Sequence, residues 1–174
     1  MPKVLTPFEP RLTTMPAEKV AVVTVKGDPN VVTQVAMSAR FGAVYALKFQ
    51  RRKEGGEDFK VTGLRARYPD AHLVPKDQWT IHFALPIPDY VRVLPKKQPE
   101  PDVRIETWQY GTVAEVLHLG PYSEEGPTIE KLHKFIETSG CEIAGDHEEE
   151  YLTRPAAKVV KTVIRYQVKK IQSE

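Results

Sequence analysis

The chain has 174 residues, with 25 Lys and Arg against 23 Asp and Glu, and 41% of its residues are hydrophobic. This length fits one domain, or two small halves that share a core, and excludes a large multidomain enzyme. The near-balanced charge and the ordinary apolar content predict a folded protein and give no basic run of the kind that binds DNA or RNA.

The first half of the chain predicts a strand, a helix and two more strands. Residues 20–26 are rich in β-branched side chains and are followed by the turn sequence Gly27-Asp-Pro-Asn30, so a strand is expected there. Apolar residues then recur at intervals of three and four from Val32 to Phe49, which predicts a helix. Residues 59–64 and 79–85 are predicted to form two strands.

Proline is the unusual component of the composition. Five of the fifteen prolines fall between Pro86 and Pro101, where they predict a linker over residues 86–101.

After the linker the same order of elements recurs. Residues 113–119 predict a strand, Gly120-Pro121 a turn, and residues 127–139 a helix with Gly140 as its left-handed cap. Two more strands are predicted at 149–152 and 159–168. The glycines that end the first strand of each half lie 93 residues apart (120 − 27). An internal duplication is therefore expected, with half-repeats at about 19–90 and 103–169 of a single domain spanning 1–174.

This order of elements predicts an α+β fold built from tandem strand-helix-strand-strand repeats, with helices on one side of an antiparallel sheet. A crevice between two similar halves is a common place for a small ligand, so a central ligand crevice is expected.

The beginning of the chain and its cysteine content indicate the compartment. The longest aliphatic run, Val20 to Val25, is far shorter than the ~20 residues of a membrane helix, and no signal peptide is evident. The one cysteine, Cys141, cannot form an internal disulfide and is interpreted as a small buried residue in a reducing compartment. We expect a soluble cytoplasmic protein with no membrane partner.

Motifs for nucleotide binding, serine hydrolysis and zinc proteolysis are absent from the sequence, so no cofactor is expected. The acidic run at 146–151 could suggest a metal, but a metal site needs several converging ligands, and such a run more often marks a solvated strand entry. No metal site is therefore predicted.

Strand alternation within this acidic run separates its glutamates. Glu149 and Tyr151 would share one face, whereas Glu148, Glu150 and Leu152 would share the other. A carboxylate beside a phenol in a partly dry setting could attract a cationic ligand or act as a general base, and the alternative is an exposed edge glutamate.

Aromatic residues supply candidate pocket walls. Trp79 would lie on the same strand face as Ile81 and Phe83, so the default role of Trp79 is to pack against a helix. The amphipathic rings near strand ends or in loops are Tyr68, Trp108, Tyr110 and Tyr122, and rings in such places often line pockets.

Several segments together resemble the GyrI-like small-molecule-binding family, in particular its standalone branch. They are His118-Leu-Gly-Pro-Tyr122, Glu149-Glu-Tyr-Leu152 and Lys161-Thr-Val-Ile-Arg165 in the second half, and Gly27-Asp-Pro-Asn30, Tyr45-Ala-Leu-Lys-Phe49 and Pro88-Asp-Tyr90 in the first. The resemblance covers most of residues 20–168. It implies pseudo-twofold symmetry and a central pocket for flat or cationic organic molecules.

The resemblance also implies roles for particular residues. The family's usual pocket acid stands two residues before the strand tyrosine, which corresponds to Glu149 before Tyr151. Some relatives are effector modules of transcription activators, some bind DNA gyrase, and the standalone branch includes hydrolases that open the cyclopropane of DNA-alkylating compounds. The length leaves no room for a helix-turn-helix module beside the two halves, so a complete transcription factor is not expected.

One segment departs from the pattern of the hydrolytic branch. That branch usually carries Gly-Leu-Trp-Trp after its second strand, whereas this chain has Gly63-Leu-Arg-Ala-Arg-Tyr68. Arg65 and Arg67 do not offer the same apolar surface, although arginine can stack on aromatic rings and Tyr68 could replace part of the wall. The two arginines could instead lie in a solvated loop, or could shift the ligand preference toward anions.

Three functions remain open on the sequence. The leading hypothesis is a standalone small-molecule-binding protein, in which Glu149 is the central acid, Tyr151 and Tyr122 position the ligand, and the walls come from Tyr68, Trp79 and Trp108. The second is a cyclopropanoid hydrolase, in which Glu149, beside Tyr151, activates or positions water. The third is an interaction module that modulates a larger protein partner such as DNA gyrase.

Overall fold

The computed structural model describes residues 4–61, 63–95 and 102–172. The chain forms two compact units. The middle unit comprises Ala17–Gln109, and the terminal unit comprises Met1–Pro16 together with Tyr110–Glu174.

The fold is α+β, and the strand pairings within each unit of the described residues are antiparallel. In chain order the elements are β1 (Arg11–Met15), β2 (Glu18–Lys26), α1 (Pro29–Lys53), β3 (Leu64–Tyr68), β4 (Thr80–Pro86), β5 (Arg104–Trp108), β6 (Gly111–Leu119), α2 (Gly126–Thr138), β7 (Cys141–Ile143), β8 (His147–Tyr151) and β9 (Lys161–Lys170). Short 3-10 turns occur at Lys76–Gln78 and Tyr122–Glu124. Neither α-helix of the described residues is long and apolar enough to cross a membrane.

In the middle unit the strands lie in the order β3-β4-β2-β5. Helix α1 packs on one face of this sheet, where Val44 and Leu47 join Ala21 of β2 and Leu85 of β4 in one apolar cluster. Asp28 caps the beginning of the helix, since its carboxylate accepts a hydrogen bond from the Asn30 N–H at 2.8 Å. The last turn of the helix carries three basic residues. Both features favour a helix at this place, because they satisfy its ends.

The strand predicted at 59–64 begins later in the structure, at Leu64. Phe59 and Val61 still pack on the α1 cluster, but the Phe59 carbonyl accepts a hydrogen bond from Lys48 Nζ at 2.7 Å instead of joining a ladder. The apolar content of 59–61 thus reflects packing against α1 without strand pairing. Thr62 lies outside the described residues.

The predicted linker is partly described, since residues 96–101 of its range 86–101 lie outside the described residues. Ile87 and Val91 are buried in the α1 cluster, and the Ile87 N–H donates to the Lys19 carbonyl at 2.9 Å. The beginning of this proline-rich stretch is therefore part of the core of the middle unit.

In the terminal unit the strands lie in the order β8-β9-β6-β1, and β7 pairs with the end of β9. Helix α2 buries Leu132 and Ile136 against Val116 of β6 and Ile164 of β9. Gly140 follows the helix with a φ of +72°, as predicted for its left-handed cap. Cys141 is a buried free cysteine in this core.

One outer strand of the terminal sheet comes from the beginning of the chain. Strand β1 directly precedes β2 in the chain but pairs with β6 of the terminal unit, and β5 directly precedes β6 but pairs with β2 of the middle unit. The terminal unit therefore completes its sheet with a strand that the whole middle unit separates in sequence from the rest of that sheet.

A buried ion network occupies the face of the terminal sheet that points away from α2. The guanidinium of Arg165 on β9 bonds to Glu115 of β6 at 2.8 Å, and to Glu148 and Glu150 of β8 at 2.9 and 3.1 Å. Arg11 of β1 reaches the other oxygen of Glu115 at 2.7 Å. One arginine thus connects three strands, and its pKa is raised because the attraction of the three carboxylates outweighs its burial.

Replacing Arg165 with methionine should destabilise the protein by about 3–5 kcal/mol, because buried carboxylates lose their partner cation. Lys169→Met is the matched control, since Lys169 on the same strand bonds to Glu142 at 3.3 Å with both side chains more than half exposed, and it should cost less than about 1 kcal/mol. Urea unfolding measures both free energies. Equal losses in the two variants would contradict a structural role for the network.

Candidate functional site

Strand β8 carries its glutamates on two faces of the terminal sheet. Glu148 lies opposite Arg165 in the pairing with β9, and Glu149 lies opposite Ile164. Because Ile164 packs in the α2 cluster, Glu149 points to the helix side of the sheet. Its side chain is 11% exposed.

Glu149 is held by partners on both of its oxygens. His147 on the same strand reaches Oε1 through Nε2 at 2.9 Å, and the Tyr151 O–H donates to Oε2 at 2.7 Å. These three residues alternate along β8 and therefore share a face. Glu149 is also hydrogen-bonded to the side chain of Glu125.

Glu125 is the residue that immediately precedes α2. A residue in this position commonly caps the helix with its side chain, but Glu125 makes no such bond and turns to Glu149 instead. It is 6% exposed, and its Oε1 receives no hydrogen bond from any described residue. The site therefore contains a buried pair of carboxyl groups, one of which has an unpartnered oxygen.

The electrostatics of the pair place one proton on Glu125. Burial, then the charge of Glu149 and the hydrogen bond to it, raise the pKa of Glu125 from 4.5 to about 9. Burial also acts to raise the pKa of Glu149, but the hydrogen bond and charge of His147, with the bonds from Tyr151 and Glu125, outweigh it and lower that pKa. Near neutral pH the pair holds one negative charge, on Glu149.

Two further side chains connect the pair to β9 and α2. The Tyr166 hydroxyl lies 2.6 Å from His147 Nδ1, so the imidazole of His147 connects Tyr166 of β9 to Glu149. Burial and the charge of Glu149 raise the pKa of Tyr166, which keeps this hydroxyl protonated. His133 of α2 contacts the Tyr166 ring edge-on at 5.1 Å.

Tyr122 gives the pair a partly exposed aromatic neighbour. Its ring contacts that of Tyr151 edge-on, with 5.7 Å between centroids, and the residue is 40% exposed. Burial, followed by the charges of Glu149 and Glu125, raises its pKa. A solvent-facing phenol therefore stands beside the buried acids.

The segment between β6 and α2 fixes where Glu125 lies. His118 at the end of β6 is buried, with Nδ1 at 2.8 Å from the Thr128 hydroxyl in the first turn of α2 and Nε2 at 3.2 Å from the Pro121 carbonyl. Gly120 has a φ of +125°, a conformation that strongly favours glycine. Together these contacts tie the helix start to the sheet and bring Glu125 to β8.

The remaining candidates lie in the middle unit. Tyr68 and Trp79 contact each other edge-on at 5.7 Å, and the alternation of β3 places Tyr68 on the α1 side of the sheet. Trp108 lies on the face away from α1, because it shares parity with Glu106 and not with the core residue Ile105. Tyr68 and Trp79 are therefore brought together, and Trp108 is on the other face of that sheet.

The two arginines of β3 share the face of Trp108. Arg67 stacks on the Trp108 ring, with its guanidinium carbon 3.9 Å from the centroid, and Arg65 forms an ion pair with Glu18. Neither side chain points to α1. Their charges are thus placed on the opposite face of the middle sheet from Tyr68.

Three site residues were not predicted from the sequence: Glu125, His147 and Tyr166. Glu125 reads as an ordinary polar residue before a helix, and only the tertiary fold shows that its side chain meets Glu149. His147 could have been found, since it shares strand parity with Glu149 and Tyr151. Among the described residues, no group of three or more His, Cys, Asp or Glu could hold a metal ion.

The fold is that of a class of small-molecule-binding domains. Residues 8–169 match the GyrI-like small molecule binding domain. The chain belongs to this GyrI-like family, as the sequence motifs predicted.

Solved structures agree with this assignment. An uncharacterized conserved protein from Listeria innocua is similar to this chain with a TM-score of 0.81 and 26% sequence identity. A hydrolase from the same organism is similar with a TM-score of 0.80 and 25% identity. Each alignment covers 94% of this chain and 93% of the Listeria protein. The C-terminal domain of EcmrR is similar in fold, with a TM-score of 0.63 and 15% identity over 94% and 98% of the two chains. No curated protein gives a significant match.

Glu125→Gln should stabilise the protein at alkaline pH. The unfolded chain loses the Glu125 proton above about pH 4.5, whereas the folded chain keeps it to about pH 9, so the free energy of unfolding falls across this window. Glutamine does not titrate and can still donate to Glu149. After allowance for screening by water, we expect a gain of about 2 kcal/mol by pH 8.5, or roughly 4–8 °C in Tm, and little gain near pH 5.

Thermal unfolding from about pH 5 to pH 9 measures this difference. Glu130→Gln, which replaces an exposed glutamate of α2, is the control and should follow the wild type at every pH. A constant offset between Glu125→Gln and wild type across the range would show that Glu125 is ionised in the folded protein.

Proposed function

We propose that this protein binds hydrophobic or aromatic organic cations at the Glu149 site of its terminal unit. The observation that carries the proposal is a buried carboxylate, Glu149, that has neither a lysine nor an arginine among its described partners. Glu149 is ionised near neutral pH, and its described partners are the neighbouring acid Glu125, a phenol and an imidazole. A ligand cation would add a positive charge beside these two acids.

The surroundings of Glu149 suit an aromatic or amphipathic cation. Tyr151 and Tyr122 present rings beside the acid, and tyrosine rings attract cations through their faces while adding apolar contact area. The exposed part of Tyr122 offers a side from which a ligand could approach. The small-molecule-binding character of the family supports this proposal.

Glu149→Gln should weaken the binding of a planar aromatic amine such as 9-aminoacridine at least about tenfold, because a charge-assisted contact is worth roughly 1.5–3 kcal/mol. Fluorescence titration gives the affinity, and thermal shift screening of related amines and hydrophobic drugs gives the ligand range. Glu130→Gln is the matched control and should bind as the wild type does.

The unliganded Glu149→Gln variant is checked by circular dichroism, so that a loss of binding is not a loss of folding. Equal affinity of a folded Glu149→Gln variant and the wild type would reject Glu149 as the ligand-binding acid. Absence of binding by any amine or drug in the screen would reject the proposed function.

A second candidate function is hydrolytic opening of a strained, electrophilic ring such as a cyclopropane. It is favoured by the similarity to the Listeria hydrolase and by the adjacency of an ionised and a protonated carboxyl. Glu149 would accept a proton from a water molecule while the water oxygen attacks a carbon of the ring. The carbon–carbon bond of the ring would break in the same step. Glu125 would donate its proton to the group that receives the electron pair.

Incubation with a cyclopropane-bearing alkylator tests this activity, with mass spectrometry to detect the product that has gained one water. Glu149→Gln should slow turnover by about 10²–10⁴-fold. Recovery of the compound intact, or attached covalently to the protein, would reject catalysis and leave the binding proposal standing.

An interaction with a larger protein such as DNA gyrase rests on the family resemblance, and no contact in either unit favours it. It stays a prediction, which affinity purification from cells that express the tagged protein can test.

A further inference from the structure

The strongest unexplained feature of the site is the carboxyl group of Glu125. Its Oε1 is buried and receives no hydrogen bond from any described donor, and the group lies beside the carboxyl group of Glu149. A buried polar atom without a partner costs about 1–3 kcal/mol. Glu125 also contributes no cap to α2, so its side chain is not needed to begin the helix.

The pairing of the two carboxyl groups limits what can bind them. Two adjacent carboxyls hold together by sharing one proton, since two neighbouring negative charges would repel. A ligand that brings a positive charge removes this repulsion, and a ligand that also brings N–H donors can replace the hydrogen bond that the shared proton makes. Oε1 of Glu125, which receives no hydrogen bond from the described residues, can accept one from such a donor.

We propose that the Glu125–Glu149 pair binds a protonated primary or secondary organic amine in exchange for the proton that the two carboxyls share. This inference rests on the proposed function and names its ligand class. The ammonium N–H groups donate to both carboxylates, and the proton of Glu125 leaves to solvent, so one positive charge enters as one leaves. Glu125 is thereby a second ligand-binding acid beside Glu149.

The neighbouring titratable groups allow this exchange. They come from each element packed around the pair and comprise Tyr122 of the 3-10 turn, His147 and Tyr151 of β8, Tyr166 of β9 and His133 of α2. None is a lysine or an arginine. The phenols of Tyr122 and Tyr166 keep their protons because their pKa values are raised. The pKa of His133 is lowered by burial and by the charge of His147.

The proposal distinguishes two kinds of cation of similar size. A primary ammonium offers three N–H donors, whereas a quaternary ammonium offers none and can only use charge and contact with aromatic faces. The quaternary ion leaves the acceptors of the pair without donors, so it gains less from the site. The pair therefore favours amines that carry N–H groups.

The test uses 2-phenylethylamine and its N,N,N-trimethyl analogue on the full chain. Isothermal titration calorimetry at one pH in buffers of different ionisation enthalpy measures the protons released on binding. We expect the primary amine to release about one proton, to gain affinity by up to about tenfold per pH unit from pH 6 to pH 8, and to bind at least about tenfold more tightly than the quaternary analogue near pH 8.

Variants assign the released proton to its source. Glu125→Gln should still bind the primary amine through Glu149, but with no proton release and with a flat pH dependence. Glu130→Gln should release the proton as the wild type does. Because His147 is present in all of these proteins, a proton that came from it would still be released in Glu125→Gln.

The outcomes separate this inference from the proposed function. Binding of the primary amine without proton release, release that persists in Glu125→Gln, or equal affinity for the two cations would each overturn the exchange, while cation binding itself would stand. If neither cation binds and the wider amine screen is also negative, the proposed function fails and the inference fails with it.

Discussion

The buried guanidinium of Arg165 is the constraint on which the site depends. It holds Glu148 and Glu150 on the face of the terminal sheet away from α2, and the pleat of a strand then leaves Glu149, which lies between them, on the other face. A slip of β8 by one residue would exchange these faces, burying two glutamates against α2. The ion network therefore sets the register that presents a single acid of β8 to the helix.

Buried carboxyl groups on the two faces of β8 are stabilised in different ways. On one face, carboxylates are neutralised by arginines from two strands, which makes that cluster a permanent structural tie. On the other, the carboxyl groups of Glu125 and Glu149 lie together beside an imidazole and phenols, and the raised pKa of Glu125 lets one of the two acids hold a proton. The first arrangement resists change, whereas the second can respond to pH or to a charged molecule.

The sequence predicted the parts of this fold that depend on local pattern. The strand-helix-strand-strand order, the glycine after α2 and the separation of Glu149 from its neighbouring glutamates all follow from periodicities of two and 3.6 residues. The family resemblance singled out Glu149, and the structure places it among partners that no spacing rule connects. Its functional role stays a prediction.

What could not be predicted depends on contacts between distant parts of the chain. Glu125 meets Glu149 because His118 and Thr128 tie the start of α2 to β6. Strands β1 and β5 were missed because each is short and pairs with a strand other than its neighbour in sequence. Trp108 was grouped with Tyr68 and Trp79 as an aromatic residue near a strand end, but the register of β5 places it on the opposite face from Tyr68.

The pairing of β1 with β6 affects how the protein folds as it is synthesised. Arg11 pairs with a residue 104 positions later in the chain, so the first strand to leave the ribosome has no partner until most of the polypeptide has been synthesised. Such distant pairing slows folding, because a long loop must close before its contacts can form. A gene fragment that encoded only the second half would lack the strand that covers the edge of β6, which exposes a hydrogen-bonding edge prone to self-association.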